Sequence, residues 1–535
     1  METTNLSKIK REKMLETIKE IKKNITDEVT LDNLSMIENE LTKKKYGLIW
    51  EEHEERVDKE LETQIPTFEE LKEKEIKLSD NSKFNFLLEG DNLHSLYLLE
   101  KTHKGKIKMI YIDPPYNRGS NDFIYDDNLV SKEDSYRHSK WLSFMYKRLT
   151  IAEKLLNPKA SAIFISIDEN ECHNLKILCD EIFGENNYIG DFIRKTKSST
   201  NDADNFFNQQ HEYCLIYKKG NFKFKGLEKN LDGYKNPDND PNGNWKSSDP
   251  SAKSGGESTY FPIENPITGQ IDYPPTGRYW AFSKKSLEKY IQTGKIKFKD
   301  KIKKNERGFI FKSYSNQLKN SMKPIDSLIF NDNKYMNQVA TKEINELELE
   351  FDYPKPVEYI KDIIINSTDE NDIILDFFAG TGTTGQAIQE LNSYTQHRQF
   401  ILCTNNQNEI CTNITYERLL KTNDTSNLKY YKCSYIPRLN SDEQNLSENL
   451  MKNIKNLIQL ENGIEIDNTK VQVYLDEDSF DDFTNNKELL DVCDKVYISS
   501  DILITAEQEM ILENTNIEVF IIPEYYFEDE IMEVM

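Results

Sequence analysis

The sequence predicts an α/β protein with a doubly wound parallel sheet, and two stretches of the chain carry that prediction. From about residue 84, apolar runs such as FNFLLEGDN, KIKMIYIDPPY and ASAIFISIDENE alternate with helical stretches such as LHSLYLLEKTH and YKRLTIAEKLLN. The same rhythm returns at VEYIKDIIINSTDENDIILDFFAGTG and continues through QFILCTNN. Strand–helix alternation is typical of parallel sheets, so we expect the two stretches to be halves of one domain.

Changes in composition divide the chain into five segments. Residues 1–80 carry apolar positions at helical spacing, which predicts two or three amphipathic helices. Residues 81–220 and 346–435 are the two α/β halves. Between them, residues 221–345 are rich in turn-formers and then become basic, which indicates an inserted module of short strands and irregular structure. Residues 436–535 form a separate acidic segment with strand-like VQVYL, KVYISS and IEVFIIPEYYF.

The net charge of −24 is unevenly distributed along the chain. Residues 441–535 hold 24 Asp/Glu against 5 Lys, whereas residues 283–325 hold 13 Lys/Arg against 3 acids. Binding to nucleic acid depends on the local field, because charges are screened beyond about 10 Å at moderate salt. The acidic total therefore does not exclude a nucleic-acid partner.

Signals for membranes, disulfides and metals are missing from the sequence. No apolar run approaches the length of a membrane span, and the start, METTNLSKIKREK, has no hydrophobic signal segment. The seven cysteines show no CxxC pair and no zinc spacing, and the seven histidines are scattered. We expect a cytoplasmic protein with reduced thiols, no membrane contact and no metal site.

The first motif is Asp113-Pro114-Pro115-Tyr116, directly after the apolar run 107–112. Proline has no N–H for a ladder and keeps the residue before it out of the α region, so the strand ends in a stiff turn. The Asp113 carboxylate and the Pro114 carbonyl can accept both N–H bonds of an exocyclic amine while Tyr116 stacks on its ring. Two such acceptors favour a tetrahedral, attacking nitrogen. A merely rigid surface turn is the alternative.

The second motif, residues 376–384, reads Asp-Phe-Phe-Ala-Gly-Thr-Gly-Thr-Thr after an apolar run. A strand, a Gly-x-Gly turn and a helix let backbone approach a nucleotide-like ligand, although a purely structural turn is the alternative. Asp376 precedes the glycines, unlike the acid of dinucleotide sites, and no phosphate-loop lysine follows. A sulfonium cofactor with an amino-acid tail therefore fits better than a pyrophosphate. The motifs lie 263 positions apart, and we expect both at the carboxyl edge of one sheet.

Together these residues resemble the β class of amino-methyltransferases, and most closely the modification (Mod) subunits of Type III restriction–modification systems. The resemblance covers about residues 84–220 and 346–405, and it includes Glu89–Leu93, Tyr111–Asn117, Ile163–Asp168, Lys355-Pro356 and Asp376–Thr384. It implies a Rossmann-like methyltransferase sheet in circularly permuted motif order. It also implies that S-adenosylmethionine is the methyl donor and that adenine N6 of duplex DNA, flipped out of the helix, is the target.

The resemblance also implies roles for single residues. The catalytic set would be Asp113, Pro114, Pro115 and Tyr116, which bind and activate the flipped adenine. The cofactor set would be Asp91, Asp376, Phe378, Ala379, Gly380, Thr381, Gly382 and Thr383, with Asp91 at the cofactor's adenine. Residues 221–345 take the place of the target-recognition domain. The departures are Arg118, Thr381 and the lack of a clear carboxylate near Thr404–Asn406, where a ribose contact is expected.

Several alternatives in partner and function stay open. The resemblance implies duplex DNA, a homodimer and a helicase–nuclease restriction subunit as partners, although an orphan methyltransferase also fits. The acidic segment is either a solubilising appendage or a docking site. In function, the alternatives are a cytosine-N4 DNA methyltransferase, a non-catalytic DNA-specificity subunit and a methyltransferase of protein glutamine or RNA. The intact Asp113 and glycines favour catalysis, and the basic insertion favours DNA.

Overall fold

A nine-stranded mixed sheet forms the centre of the protein, which is described by a computed structural model. The structure describes residues 6–23, 25, 27–42, 50–79, 82–119, 124–125, 128–199, 207–318, 320–393, 397–424, 426–437, 443–523 and 526. The strands of this sheet, numbered in chain order, are β1 (Gln64–Glu70), β2 (Phe84–Glu89), β3 (Met109–Ile112), β4 (Ala160–Ile167), β5 (Tyr188–Lys195), β6 (His211–Gly220), β7 (Ile373–Asp376), β8 (Gln399–Thr404) and β9 (Asn427–Pro437).

Most of this sheet is parallel. The strand order is β1-β9-β2-β8-β7-β3-β4-β6-β5. The six strands from β9 to β4 run parallel to one another, whereas β1 and β6 are antiparallel to their neighbours. The predicted α/β class is therefore confirmed. An additional pair joins Ile124–Tyr125 to Asn128–Leu129.

Helices pack on both faces of the sheet. Ile110 of β3 belongs to the same buried cluster as Leu96 and Leu149, whereas the next residue, Tyr111, contacts the ring of Tyr359. Successive strand residues point to opposite faces, so the helices that carry these partners lie on opposite sides. Outside residues 224–325 and before residue 436, the helices are α1 (Leu6–Lys23), α2 (Glu28–Thr42), α3 (Arg56–Thr63), α4 (Asn92–His103), α5 (Arg137–Leu155), α6 (Cys172–Cys179), α7 (Asn337–Glu346), α8 (Val357–Ser367), α9 (Thr383–Asn392) and α10 (Tyr416–Lys421). No helix in the described part of the chain has both the length and the apolar character to cross a membrane.

The N-terminal segment contains the expected helices and one strand that the sequence did not indicate. The helices α1 and α2 are joined by an ion pair between Lys22 and Glu38 at 2.8 Å. After α3, β1 pairs antiparallel with β9 at the edge of the sheet. Pro66 weakens the strand signal of β1, but an edge strand tolerates a residue without an N–H.

The C-terminal segment is less separate than its composition suggested. Its first helix, α11 (Glu443–Asn462), contributes Leu457 and Ile458 to the main core. After it comes a parallel three-stranded sheet of β10 (Val471–Tyr474), β11 (Lys495–Ile498) and β12 (Glu518–Ile521). This sheet is accompanied by α12 (Glu477–Thr484), α13 (Lys487–Val492) and α14 (Ala506–Thr515). Positions 438–442, 524–525 and 527–535 of the expected acidic domain lie outside the described residues.

Residues 224–325 form a second compact unit, while residues 1–223 and 326–535 form the first. The second unit has an antiparallel sheet of Trp245–Ser247, Phe309–Tyr314 and Ile296–Phe298, and a helix at Lys284–Gln292. Its short pairs are Ser251–Ala252 with Tyr279–Trp280, Ile263–Glu264 with Ile271–Asp272, and Leu227–Glu228 with Met322–Lys323. Trp280 lies in its aromatic core.

The second unit is shorter than the inserted module 221–345 that the sequence indicated. The chain after Ile325 returns to the first unit, where Ile193 N donates to the Ser327 carbonyl at 2.9 Å and Lys195 N donates to the Phe330 carbonyl at 3.0 Å. These bonds extend the edge of β5. Ser327 and Phe330 thus bond to an edge strand that lies far upstream in the chain, and α7 begins soon after them.

Candidate active site

The two sequence motifs leave neighbouring strands at the same edge of the sheet. Strands β3 and β7 are parallel and directly paired, with Leu375 opposite Ile110. Asp113 follows the end of β3, and Asp376 is the last residue of β7. The carboxyl edge of a parallel sheet is where open α/β folds bind ligands. The sheet therefore brings together residues that are 263 positions apart in the chain.

The turn after β3 is held by buried hydrogen bonds on both sides of Tyr116. The indole Nε1 of Trp141, on α5, donates to the Pro115 carbonyl at 2.7 Å. Asn117 is buried in the left-handed region at φ 57° and donates through Nδ2 to the buried Glu171 carboxylate. Asparagine tolerates this conformation better than most residues do. The turn is thus fixed from the helix side as well as by its prolines.

The Asp113 carboxylate belongs to a network of charged side chains. It accepts a bond from the Tyr116 hydroxyl at 2.8 Å and one from Lys355 Nζ at 2.6 Å. Lys355 Nζ also donates to the Tyr116 oxygen at 3.0 Å. The same Nζ lies 3.7 Å from Glu212 Oε1. Burial raises the pKa of Glu212, but the cations of Arg194 and Lys355 outweigh it and lower the pKa to about 2. Burial raises the pKa of Tyr116 well above its ordinary value, so its hydroxyl stays a donor.

Arg118 lies beside the aromatic ring of the motif. Its guanidinium carbon is 5.0 Å from the centre of the Tyr116 ring, and its Nε donates to Asp168 Oδ2 at 2.7 Å. Asp168 follows β4 and also accepts from the backbone N of Asn170 at 3.0 Å. Asp168 therefore stabilises a turn and in addition orients Arg118, which departs from the common family pattern.

Asp376 organises the loop that follows β7. Its Oδ1 accepts from the Phe378 backbone N at 3.0 Å, and its Oδ2 accepts from the Thr384 hydroxyl. Burial raises its pKa to about 7, and the neighbouring Asp113 charge acts in the same direction. The carboxylate closes the loop from its first residue to the start of α9. It thus shapes the loop from within.

The two glycines of this loop occupy backbone conformations that other residues rarely adopt. Gly380 has φ +48° and Gly382 has φ +78°. A Cβ built on Gly382 would lie 3.0 Å from Thr415 Cγ2. The Thr415 hydroxyl donates to the Gly380 carbonyl at 2.6 Å, and the Ala379 carbonyl accepts from Gly382 N at 2.8 Å. The loop is therefore both tight and closely backed by protein.

The side chains of Thr381 and Thr383 bond to the protein itself. Arg418 Nη1 donates to both hydroxyls at 2.8 Å, and its Nε donates to Gln386 Oε1 at 2.6 Å. Arg418 is buried, which lowers its pKa to about 10. In these two expected cofactor residues, the hydroxyl oxygens thus already accept hydrogen bonds from the protein.

Asp91 lies on the neighbouring side of the loop and is linked to it through Asn92. Asp91 caps α4 by accepting from Leu93 N at 2.7 Å, and its side chain is 35% exposed. Asn92 Nδ2 donates to the Phe377 carbonyl at 2.8 Å, and Arg148 binds both Asn92 and Asp91. A partly exposed carboxylate is thus held next to the glycine loop.

Sequence reasoning missed several charged residues around the site. Glu212, Arg194, Arg148 and Arg418 are buried, and Lys355 had been noticed only as part of a resemblance. A charged residue within an otherwise apolar strand or helix is the sequence signal that could have indicated such buried charges. Glu212, at the start of HEYCLIY, is an example. No group of three or more metal-ligating side chains occurs among the residues that the structure describes.

Comparison with known proteins identifies the class to which this fold and site belong. Residues 107–417 match the family model described as DNA methylase, which covers N6 and N4 enzymes by its name. The matched segment is more than half of the chain, and it begins just before the first motif and ends after the second. The chain therefore belongs to this DNA methylase family.

Three relatives illustrate the similarity. The chain is 36% identical to the Type III restriction-modification enzyme StyLTI Mod subunit of Salmonella typhimurium, over 62% of this chain and 54% of that protein. It is 31% identical to the EcoPI Mod subunit of Escherichia phage P1, over 68% and 64%. It is 33% identical to the Type II methyltransferase M.KpnI of Klebsiella pneumoniae, over 61% and 82%. The chain thus spans about half to two thirds of the two Mod subunits.

Proposed function

We propose that the chain is a site-specific DNA methyltransferase that moves a methyl group from S-adenosylmethionine to adenine N6 in duplex DNA after base flipping. One observation carries the proposal: Asp113 and the glycine loop follow adjacent parallel strands, so an amine acceptor and a loop suited to a nucleoside ligand share one edge. The names of the Mod relatives and of M.KpnI agree with it.

The residues around the loop fit the proposed cofactor. A loop with two left-handed glycines exposes backbone without Cβ atoms, and the partly exposed Asp91 carboxylate suits the hydroxyl or amino groups of a nucleoside. Phe378 offers an apolar surface, and its ring lies 5.8 Å from that of Phe144. When bound, S-adenosylmethionine supplies a methyl group on a positively charged sulfur.

The chain's own residues would activate and orient the amine. The N6 lone pair is delocalised into the purine ring, so the free amine is a weak nucleophile. Asp113 and the Pro114 carbonyl accept its two N–H bonds and favour the tetrahedral nitrogen, on which positive charge develops. Tyr116 stacks on the base and supports Asp113 through its hydroxyl. The second compact unit, with 19 Lys/Arg against 11 Asp/Glu, would bind the duplex and select the site.

The proposal extends to partners and compartment. The Mod relatives are subunits of restriction–modification enzymes by name, so we expect a homodimer that joins a separate restriction polypeptide in phage defence. All seven cysteines are buried and free, which suits the reducing cytoplasm. Within the first unit, the acidic β10–β12 region would be the part free to dock a protein, because its charge disfavours DNA.

Tritiated methyl transfer to duplex DNA tests the proposal. Wild-type protein should label DNA, Asp113→Ala should not, and the surface control Asp501→Ala should match wild type. Long-read sequencing of DNA from cells that express the chain then reports the base and its sequence context. Modified cytosine would contradict the adenine assignment, and transfer to RNA or protein alone would contradict the DNA assignment. No transfer to any acceptor would refute catalysis.

A further inference from the structure

A buried group of four charges surrounds the tyrosine of the first motif. We call it the Lys355 cluster, and it contains Asp113, Tyr116, Arg194, Glu212 and Lys355. Arg194, Glu212, Tyr116 and Lys355 are at most 8% exposed, and Asp113 is half-buried. Burying charges is costly unless they are paired and hydrogen-bonded, so a cluster like this is held together as a unit.

Lys355 joins the two carboxylates of the cluster. Its ammonium group contacts three oxygens, those of Asp113 (2.6 Å), Tyr116 (3.0 Å) and Glu212 (3.7 Å). The contacts with Asp113 and Tyr116 are hydrogen bonds, whereas Glu212 at 3.7 Å is an ion-pair neighbour. Pro356, which caps α8 at φ −65°, follows directly and fixes the backbone from which the lysine extends.

Arg194 fixes the far side of the cluster. Its Nε donates to Glu212 Oε1 at 2.7 Å, its Nη2 donates to Asn337 Oδ1 at 2.7 Å, and its Nη1 donates to the Tyr335 carbonyl. Glu212 therefore cannot follow Lys355 if the lysine moves. Lys355 thus lies between a fixed carboxylate and Asp113, and together with the Tyr116 hydroxyl it restrains the Asp113 side chain.

We infer that Lys355 is a positioning residue that holds the Asp113 carboxylate toward the target amine, and that Glu212 neutralises the charge of Lys355. This inference rests on the proposed function. Lys355 and the Tyr116 hydroxyl both donate to the Asp113 carboxylate, so they hold it in one orientation. Only the ionised carboxylate is purely an acceptor, and each of its oxygens has room for a second N–H bond.

Glu212 keeps the Lys355 cluster from carrying a net positive charge. The amine nitrogen becomes positively charged as its bond to the methyl carbon forms and the carbon–sulfur bond breaks, with the electron pair going to sulfur. An unneutralised ammonium beside it would oppose that charge. With Glu212 and Arg194 included, the cluster carries two negative and two positive charges, so Lys355 can hold Asp113 without a net positive field.

Steady-state methylation of DNA tests this division of roles. Lys355→Met should lower kcat about 100-fold while the KM for S-adenosylmethionine changes less than about twofold. Lys355→Arg should restore part of kcat. Glu212→Gln should lower kcat about 10-fold or more, because it leaves the cluster with a net positive charge.

Controls separate this inference from the proposed function. Lys342→Met, at a lysine whose side chain is 78% exposed on α7, should behave as wild type. If Lys355→Met does not fold, as judged by circular dichroism, Lys355→Arg and Glu212→Gln still test the inference. Wild-type protein without any methyl transfer would refute the proposed function. An active wild type with unchanged kcat in Lys355→Met, or in Glu212→Gln, would refute the role of the cluster alone.

Discussion

Replacing Gly382 by alanine tests whether the loop after β7 needs its backbone conformation. Gly382 has φ +78°, and an alanine there costs about 1–2 kcal/mol in the left-handed region. In addition, its Cβ would lie 3.0 Å from Thr415 Cγ2, and relieving such overpacking costs about 1–3 kcal/mol. We therefore expect Gly382→Ala to lose about 2–5 kcal/mol in total, divided between folding stability and cofactor affinity.

The two contributions can be separated because Thr415 carries both a methyl group and a hydroxyl. Thr415→Ser removes Cγ2 but keeps the hydroxyl that donates to the Gly380 carbonyl. The double variant Gly382→Ala/Thr415→Ser should regain the energy lost through the contact with Cγ2 but keep the conformational cost. A double-mutant cycle measures the regained contact energy. Gly269→Ala, at φ +72° with nothing within 4 Å of the added Cβ, should show the conformational cost alone and bind cofactor normally.

Calorimetric titration with S-adenosylmethionine measures the loss of cofactor affinity, and urea unfolding measures the loss in the free energy of unfolding. A combined loss of about 3 kcal/mol corresponds to about two powers of ten in an equilibrium constant. If Gly382→Ala binds the donor and unfolds as wild type does, the reasoning about the loop is wrong. If Thr415→Ser recovers nothing, the contact with Cγ2 carries no energy and only the backbone argument survives.

Two further predictions concern single buried groups. Burial raises the pKa of Asp376 from 3.8 to about 7, so its stabilising contribution is complete below pH about 4 and is lost as the pH rises through about 7. Asp376→Asn stays neutral, so its free energy of unfolding relative to wild type should rise between pH 4 and 8, by at most about 4 kcal/mol; a pH-independent difference in urea unfolding would contradict this. Trp141→Phe removes the donor to the Pro115 carbonyl and should lower the free energy of unfolding by about 1–3 kcal/mol, together with kcat. An unchanged kcat would show that the turn holds without it.

Local patterns predicted the elements well because they depend on neighbours in the chain. The apolar run ASAIFISIDENE predicted a strand, and β4 covers Ala160–Ile167. The helix expected after the Gly-x-Gly turn appears as Thr383–Asn392. Apolar periodicity and turn-formers are visible within a short window, so such elements can be assigned from sequence.

Pairings between distant residues could not be predicted in the same way. Nothing in QIPTFEE shows that it becomes an edge strand against β9, because its partner lies more than 360 positions away. Likewise, Lys355 sits in a loop without periodicity, and its partners Asp113 and Glu212 are 242 and 143 positions upstream. The motif pointed to Asp113, but only the fold reveals which cation stands beside it.

The pairing of β3 with β7 has a consequence for the newborn chain. A ribosome adds about 5–20 residues per second, so β7 emerges on the order of tens of seconds after β3. During that interval β3 can already pair with β4, but its other edge is unpaired until β7 has been synthesised. An unpaired apolar edge invites association with other chains, and nascent protein would thus need shielding until the second half arrives.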